Sequence, residues 1–291
     1  MTALTEAEAS ERARAFLAAV SVAPEVFELR PDYRVLVLVA EGLEPGLPDQ
    51  VSDGLLTQAE TRARITLDSR APEDAPQVAD WRAAYRAFGA KPQRTRPSVE
   101  ALLRRLDTGL PRIDRLTDAY NAVSVANLVP VGGEDLDHYQ GPARLVRATG
   151  DEDFDTVAHG EPAVEHPRPG EVIWRDDAGV TCRQWNWRQC TRTRFSPATS
   201  SAVFIIDGLA ALGPGESHAS EPHTPGTREL LFVLDGQVEL RAGQHGEVLA
   251  TGDSASFAGD LAHEYVNTSR DRMARFALSV FEPGVGGGAG R

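Results

Sequence analysis

The sequence predicts two fold classes in series: an α+β domain over residues 1–195 and an all-β barrel or sandwich over 201–284, joined by a linker at 196–200. Three observations predict this. Up to about residue 195, runs of helical periodicity alternate with β-branched runs. The stretch SPATSS, Ser196 to Ser201, is small and polar, as linkers are. Beyond it the helical periodicity ends, and AVFIIDGLAAL, LLFVLDGQVEL, EVLA, DSASFAG and ARFALSVFE read as short strands separated by glycine turns.

The elements follow in order. Residues 5–20 form an amphipathic helix with Phe16, Leu17 and Val20 on one side. RVLVLVAEGL, Arg34 to Leu43, has the continuous apolar character of a strand buried on both faces, and Glu44 to Asp53 reads as a loop. Val78, Trp81, Ala84, Tyr85 and Phe88 are spaced as one helix face, capped by Gly89. RPSVEALLRRL begins a second helix at Pro97, which Gly109 ends. Ile113, Leu116, Tyr120, Val123 and Leu128 mark a third, stopping at Pro130. ARLVRAT, EVIWRD and VTCRQWNW are strands, and the tail GVGGGAGR (residues 285–291 within it) is expected to be disordered.

Composition narrows the function classes. The chain has 291 residues, no apolar run approaching the roughly 18 residues of a membrane span, and an acidic rather than basic first segment, so a cytoplasmic location without a membrane partner is expected. Cys182 and Cys190 are too few for a disulfide scaffold and lack zinc-ligand spacing. A net charge of -13 argues against indiscriminate nucleic-acid binding. Between Trp81 and Arg115, however, Arg82, Arg86, Lys91, Arg94, Arg96, Arg104, Arg105, Arg112 and Arg115 face only Glu100, Asp107 and Asp114. That local excess reads either as solvated helix faces or as a contact for a phosphate backbone.

In the second domain, HTPGTRELLFVLDG followed by GDSASFAGDLAHEYVN resembles the two signature motifs of the cupin family, a jelly-roll barrel. His223, Glu229 and Gly236 match the first motif, and Gly252, His263 and Asn267 the second. Pro225, Ala258 and Asp260 depart from it, at the places of the second histidine, the proline and the turn glycine. The resemblance implies that His223 and Glu229 project from adjacent strands and His263 from a third. Two imidazoles and a carboxylate suit a divalent metal such as iron, zinc, manganese or nickel, with His218 or Glu221 as stand-ins for the missing ligand. The alternative is a metal-free barrel whose polar residues line a small-molecule pocket. Cupin barrels commonly pair through their sheets, which implies a homodimer.

In the first domain, WRAAYRAFGAKPQRTRPSVEALLRRL, LPRIDRLTDAYNAVSVANLVPVGGEDLDHYQG and GEVIWRDDAGVTCRQWNWRQCTRT resemble, in order, the free-standing type of the B3/B4 domain family, named for the editing module of the phenylalanyl-tRNA synthetase β subunit. The resemblance spans roughly residues 20–195 and implies an α+β fold with a pocket. In the synthetase that pocket hydrolyses the ester between a wrong amino acid and tRNA.

Several residues suit that chemistry. Gly132 and Gly133 are expected to turn the backbone tightly after the helix, so that Glu134, Asp135 and Asp137 can hold an amino group. Asn121 and Ser124, one helical turn apart, add neutral hydrogen-bonding groups. Arg183 alternates with Gln184 in the RQWNW strand and so points inward with Trp185 and Trp187, where Glu171 or Asp135 would pair with it. Asn121, Ser124, Glu134, Asp135, Glu171 and Arg183 are therefore the candidate catalytic set. Arg82, Arg86, Lys91, Arg94, Arg96, Asn186 and Arg188 are the candidate substrate and tRNA contacts, and His223, Glu229 and His263 the metal ligands.

Aminoacyl esters are already activated, so their hydrolysis needs a positioned water and an ammonium holder rather than a strong nucleophile, and no G-x-S-x-G elbow is present. The expected function is hydrolysis of mischarged aminoacyl-tRNA or a related aminoacyl ester, with the cupin as accessory. The rivals are a metal-dependent cupin enzyme acting on an amino-acid-derived small molecule and a non-catalytic ligand sensor.

Overall fold

A computed structural model describes residues 10–209 and 215–281. The chain divides into two compact units, one through Leu209 and one from Ala210. The tail expected to be disordered, and the start of the helix expected over 5–20, lie outside the described residues.

The first unit opens with α1 (Glu11–Ala19), where Ser10 Oγ accepts from the Ala13 N–H at 3.0 Å and so satisfies one of the free donors of the first turn. The strand β1 (Ser21–Val22), helix α2 (Pro24–Leu29) and strand β2 (Tyr33–Glu41) follow. Val35, Val37 and Val39 of β2 pack on the core, whereas Leu36 and Leu38 are 54% and 45% exposed. The strand is therefore covered on one face only, as in antiparallel sheets that pack one face on a core and leave the other to solvent.

The helix α3 (Gln50–Leu67) begins inside the stretch read as a loop. Asp49 and Ser52 cap each other's backbone N–H groups there, which starts the helix at a polar, acidic segment. Helices α4 (Pro76–Ala87), α5 (Ser98–Leu103) and α6 (Arg115–Asn127) complete the helical part. Leu56, Ala63, Val78, Val99, Leu103 and Val125 meet in one core beneath them. The Asp114 carboxylate caps α6 at the Thr117 N–H, and Leu128, with φ of 53°, ends it.

The strands that follow are β3 (Val131–Asp135), β4 (Arg144–Arg147), β5 (Phe154–Ala158), β6 (Glu161–Glu165), β7 (Val172–Arg175), β8 (Val180–Arg183), β9 (Arg188–Gln189) and β10 (Ser201–Leu209). They form a sheet β1-β4-β7-β8-β9, a sheet β2-β10-β3 and the β5-β6 hairpin. A second core of Tyr33, Trp81, Tyr85, Trp174 and Trp185 packs between the sheets and α4, with Trp185 edge-on to both Tyr33 and Trp81 at 5.0 and 5.3 Å.

The boundary differs from the expected one. The expected cupin start at residue 201 is corrected by β10, which is the middle strand of the β2-β10-β3 sheet of the first unit and pairs in register from Ser201↔Glu41 to Leu209↔Tyr33 and with β3. SPATSS is a loop between two strands of one unit rather than a linker between domains. Its composition is local, but the pairing partner of β10 lies some 160 residues earlier, and composition carries no information about that.

The second unit is all β: β11 (Ser217–Ser220), β12 (Arg228–Asp235), β13 (Gln237–Ala242), β14 (His245–Ala250), β15 (Ser254–Ala258), β16 (His263–Val266) and β17 (Arg275–Phe281). They form two sheets, β11-β16-β13-β14 and β15-β12-β17, whose inner side chains Leu231, Val233, Val238, Leu240 and Tyr265 make a common core.

Candidate functional site

The strands β3 and β10 form the floor of a cavity of about 300 Å³ in the first unit. Gly132, Glu134, Ile205 and Asp207 line it from one sheet face, and Asn121 of α6 lines it from the side. Gly132 is extended and not in a turn; a side chain there would meet nothing within 4 Å, so its absence opens the floor between Glu134 and Asp207. The expected tight turn at Gly132 and Gly133 is therefore corrected: both belong to β3. Gly133 faces the other way, where an added Cβ would approach Phe195 and Tyr120 to 2.8 Å.

Two carboxylates give the cavity its character. Glu134 is 3% exposed and accepts a hydrogen bond from the Tyr139 hydroxyl; burial pushes its pKa up to about 7. Asp207 is 2% exposed and also sits at about 7 because of burial, although Tyr33 Oη donates to it at 2.6 Å and Asn186 Nδ2 at 3.3 Å. Neither carboxylate has an ion-pair partner among the described residues; the walls include apolar Trp174, Trp187, Leu102 and Ile205, and exposed Arg105 also lines the cavity. Asn121 is buried, and its side-chain amide makes no hydrogen bond within the described residues, so it is free for a ligand. Cys182 also lines the cavity, but burial pushes its thiol well above the ordinary range and leaves it a poor nucleophile.

The other candidate residues lie elsewhere. Ser124 Oγ donates to the Val129 carbonyl at 2.6 Å, closing the end of α6. Asp135 points to the sheet face opposite Glu134, as strand alternation requires, and accepts from Thr199 Oγ1 at 2.6 Å. Asp137 pairs with Arg12 near the surface. Glu171 and Arg183 form a bidentate pair with both bonds at 2.9 Å, extended by Glu165 at 3.0 Å. That pair lines a neighbouring cleft of about 200 Å³ and not the cavity, so these two residues act as a buried lock. The strand expected through RQWNW ends at Arg183; Gln184 and Trp185 take φ of 47° and 68° in a turn, which sends Asn186 rather than Arg183 into the cavity. Sequence reasoning did not single out Asp207, because AVFIIDGLAAL was read as a strand of the all-β domain and so set apart from the first-domain pocket; its signal was an acid flanked by Ile205, Ile206 and Leu209.

The basic run divides in two. Arg82, Arg96 and Arg104 surround the fully buried Glu100 at 2.7, 3.6 and 3.0 Å. Arg112 pairs with Asp53 and Glu60, and Arg115 with Asp49. Arg82 and Arg96 are thus corrected from tRNA contacts to structural counter-ions of an acid carried by the same helical layer. Arg188 pairs with Glu165 at 2.8 Å and lies over the Trp187 ring at 5.0 Å. Arg86, Lys91, Arg94 and Arg105 are exposed and without an ion pair among the described residues. Lys91 and Arg94 line the cleft beside the cavity, and Trp187 is a wall common to both.

In the second unit, His223, Glu229 and His263 come together with their ligand atoms within 4.8 Å of one another. Glu229 projects from β12 and His263 from the start of β16, but His223 lies in the loop before β12 rather than on a strand, held by its N–H to the Gly259 carbonyl at 2.9 Å. The three donor atoms converge: Glu229 Oε1 lies 3.0 Å from His223 Nε2 and 3.3 Å from His263 Nε2. Despite these distances, Glu229 Oε1 and His263 Nε2 are buried and lack a hydrogen bond of acceptable geometry. The partners that orient them are in place. Tyr265 Oη donates to Glu229 Oε2 at 2.8 Å, leaving Oε1 free. His263 Nδ1 lies 2.8 Å from the Leu261 carbonyl, which places the proton on Nδ1 and the lone pair on Nε2.

These orphaned donors fit a divalent metal held by a facial triad with positions left open. Pro225, His218 and Glu221 are exposed, and no fourth ligand joins the triad among the described residues. The departures at 258–260 are also accounted for. Asp260 needs no left-handed backbone and accepts from the Gly226 N–H at 2.7 Å, while the glycine is required one position earlier, where a Cβ on Gly259 would sit 2.6 Å from Glu229 Oε1.

Comparison with known proteins agrees with this division. The B3/4 domain model matches residues 80–213, and the Cupin domain model residues 208–281. Among solved structures, the cupin domain of an XRE family transcriptional regulator from Enterobacter cloacae is 31% identical, with 28% of this chain and 79% of that one covered and a TM-score of 0.24. A protein from Thermus thermophilus is 30% identical over 24% of this chain and 64% of its own, with a TM-score of 0.21. A predicted oxalate decarboxylase from Thermotoga maritima is 20% identical over 24% and 59%, with a TM-score of 0.22. No curated protein matches the chain. No helix of the described residues is long and apolar enough to cross a membrane. The two family matches, with the motif residues His223, Glu229, Gly236, Gly252, His263 and Asn267 in place, make the chain a B3/4 domain followed by a cupin domain.

Proposed function

We propose that the first unit hydrolyses aminoacyl esters, with mischarged aminoacyl-tRNA as the natural form. The observation that carries this reading is a cavity holding two buried carboxylates that make no ion pair among the described residues, with exposed Arg105 on its lining, beside an uncommitted amide at Asn121. A buried carboxylate without a counter-ion is costly, and an α-ammonium supplies that charge. A water oriented by Asn121 adds to the ester carbonyl carbon. The C–O bond to the ribose then breaks, and the proton from the water passes to the departing sugar oxygen. Lys91 and Arg94, beyond the shared Trp187 wall, meet the phosphates of the RNA end.

The test is deacylation of a panel of mischarged tRNAs. Asn121→Ala is expected to lower the rate about 100-fold, the scale of losing one oriented dipole in a desolvated site. Lys91→Ala with Arg94→Ala should raise KM for aminoacyl-tRNA and leave a free aminoacyl methyl ester unaffected. An Asn121→Ala rate equal to the parent's would overturn the assignment.

The His223, Glu229 and His263 triad supports a second reading, in which the barrel binds iron, zinc, manganese or nickel. A bound divalent metal would supply Lewis-acid chemistry for an amino-acid-derived small molecule. Tyr265 and Leu261 would orient Glu229 and His263 toward it. Metal content, measured in the parent and in the doubly substituted His223→Ala, His263→Ala protein, separates this from a metal-free sensor barrel. A homodimer and a cytoplasmic location belong to the same proposal.

A further inference from the structure

The two cavity carboxylates are not neighbours. In the β3–β10 register Glu134 lies opposite Val203, and the Asp207 N–H bonds to the Pro130 carbonyl, so Glu134 and Asp207 share one sheet face four residues apart. At about 3.3 Å per residue their Cα atoms are separated by roughly 13 Å along the strands. Side chains on a sheet stand nearly perpendicular to it, so the carboxyl groups occupy opposite ends of the cavity. Between them the floor is the open space over Gly132, and the wall is apolar at Ile205 and Trp174. The Trp174 indole N–H, buried at 1% exposure, is directed toward Asp207 and helps hold its ionised form, without a hydrogen bond of ideal geometry.

A single ammonium would neutralise one end and leave the other carboxylate buried without a cation. Subtracting a hydrogen bond of about 3 Å at each end leaves about 7 Å between two ammonium nitrogens. That is the span of the six bonds between the two nitrogens of an extended lysine, about 7 Å.

We propose that the cavity selects an aminoacyl group with two ammonium centres, that of lysine or ornithine, one held by Glu134 and the other by Asp207. The methylene chain crosses the floor over Gly132, and the Trp174 N–H stays with the Asp207 end. This rests on the reading that the cavity receives the aminoacyl group, and it does not depend on hydrolysis.

The experiment is calorimetric titration of the full chain at pH 8 with lysine, ornithine and norleucine, each as its hydroxamate, which has no ester bond to hydrolyse. Norleucine keeps the methylene chain and lacks the terminal ammonium. The expected result is binding of the lysine and ornithine analogues at least about 30-fold tighter than norleucine, because the unpaired carboxylate then stays buried. Of Glu134→Gln and Asp207→Asn, the one at the carboxylate holding the side-chain ammonium should reduce that ratio to about one and the other should weaken all three analogues alike, with the hydrogen bonds from Tyr139, or from Tyr33 and Asn186, kept. Equal affinity for norleucine and lysine in the parent protein overturns the selectivity and leaves the aminoacyl cavity standing. No binding of any analogue overturns both.

Discussion

The two units solve the same electrostatic problem in different ways. In the barrel, buried Glu229 is faced by two imidazoles, and its other oxygen is tied to Tyr265, so three donor atoms converge on one point. In the first unit, Glu134 and Asp207 are buried just as deeply, yet only neutral groups reach them: hydroxyls, an amide and the Trp174 indole. Glu100 and Glu171, in the same unit, are each matched by arginines. A carboxylate already paired with arginine is part of the frame; one surrounded by neutral groups is waiting for a cation. The missing charge differs accordingly, a point-like divalent ion in the barrel and extended ammonium groups in the cavity.

The comparison breaks most sharply at the metal. His223→Ala with His263→Ala should reduce bound metal from one equivalent to below about 0.05 by elemental analysis, since two of three ligands are gone. The same variant should deacylate at the parent rate. Retained metal would show that the convergence of donor atoms is not a coordination site.

Next in size is the floor of the cavity. Gly132→Val places its Cβ where no neighbour lies within 4 Å and its methyls in the cavity, so the fold should persist with a midpoint within a few degrees of the parent. Ligand binding should fall at least about tenfold, because two added methyl groups occupy the space between the carboxylates. Unaltered affinity would place the ligand elsewhere.

The third test is pH. Folding raises the pKa of Glu134 and Asp207 from ordinary carboxylate values to about 7. The folded state therefore holds these protons more tightly than the unfolded chain. Between about pH 4 and 7 the unfolded state binds fewer protons, and stability falls as pH rises through that window. The loss is on the order of 3 kcal/mol per group in the empty cavity. Urea midpoints measured from pH 5 to 8 should drop for the parent and flatten in the Glu134→Gln, Asp207→Asn protein. Parallel slopes would contradict the burial account. The smallest effect is expected at Ser124→Ala, which loses one hydrogen bond to the Val129 carbonyl and costs about 1 kcal/mol with deacylation unchanged.

How much of this was legible in the sequence depended on whether the signal was local. The triad was, because His223, Glu229 and His263 sit at a recognisable spacing. So were α4, from the 3.6-residue spacing of Val78, Trp81 and Tyr85, and Asn121 and Glu134 as cavity residues. The helix α3 was not, since its buried stripe of Leu56, Ala59, Ala63 and Leu67 is half alanine and the remainder of its surface is polar. Nor was Asp207, whose importance follows from β10 pairing with both β2 and β3 across the whole unit. The pairing of Arg82 and Arg96 with Glu100 was hidden for a related reason: a charge count sees nine basic residues and cannot show that three of them surround one buried acid.

The measurement that tests the central claim most directly is deacylation of lysyl-, ornithyl- and norleucyl-tRNA by three proteins: the parent, Asn121→Ala, and the metal-ligand variant His223→Ala, His263→Ala. The account predicts deacylation by the parent and by the metal-ligand variant at equal rates, with a loss of about 100-fold in Asn121→Ala. Loss of activity with the metal ligands and its retention in Asn121→Ala would contradict it, moving the chemistry from the cavity to the barrel.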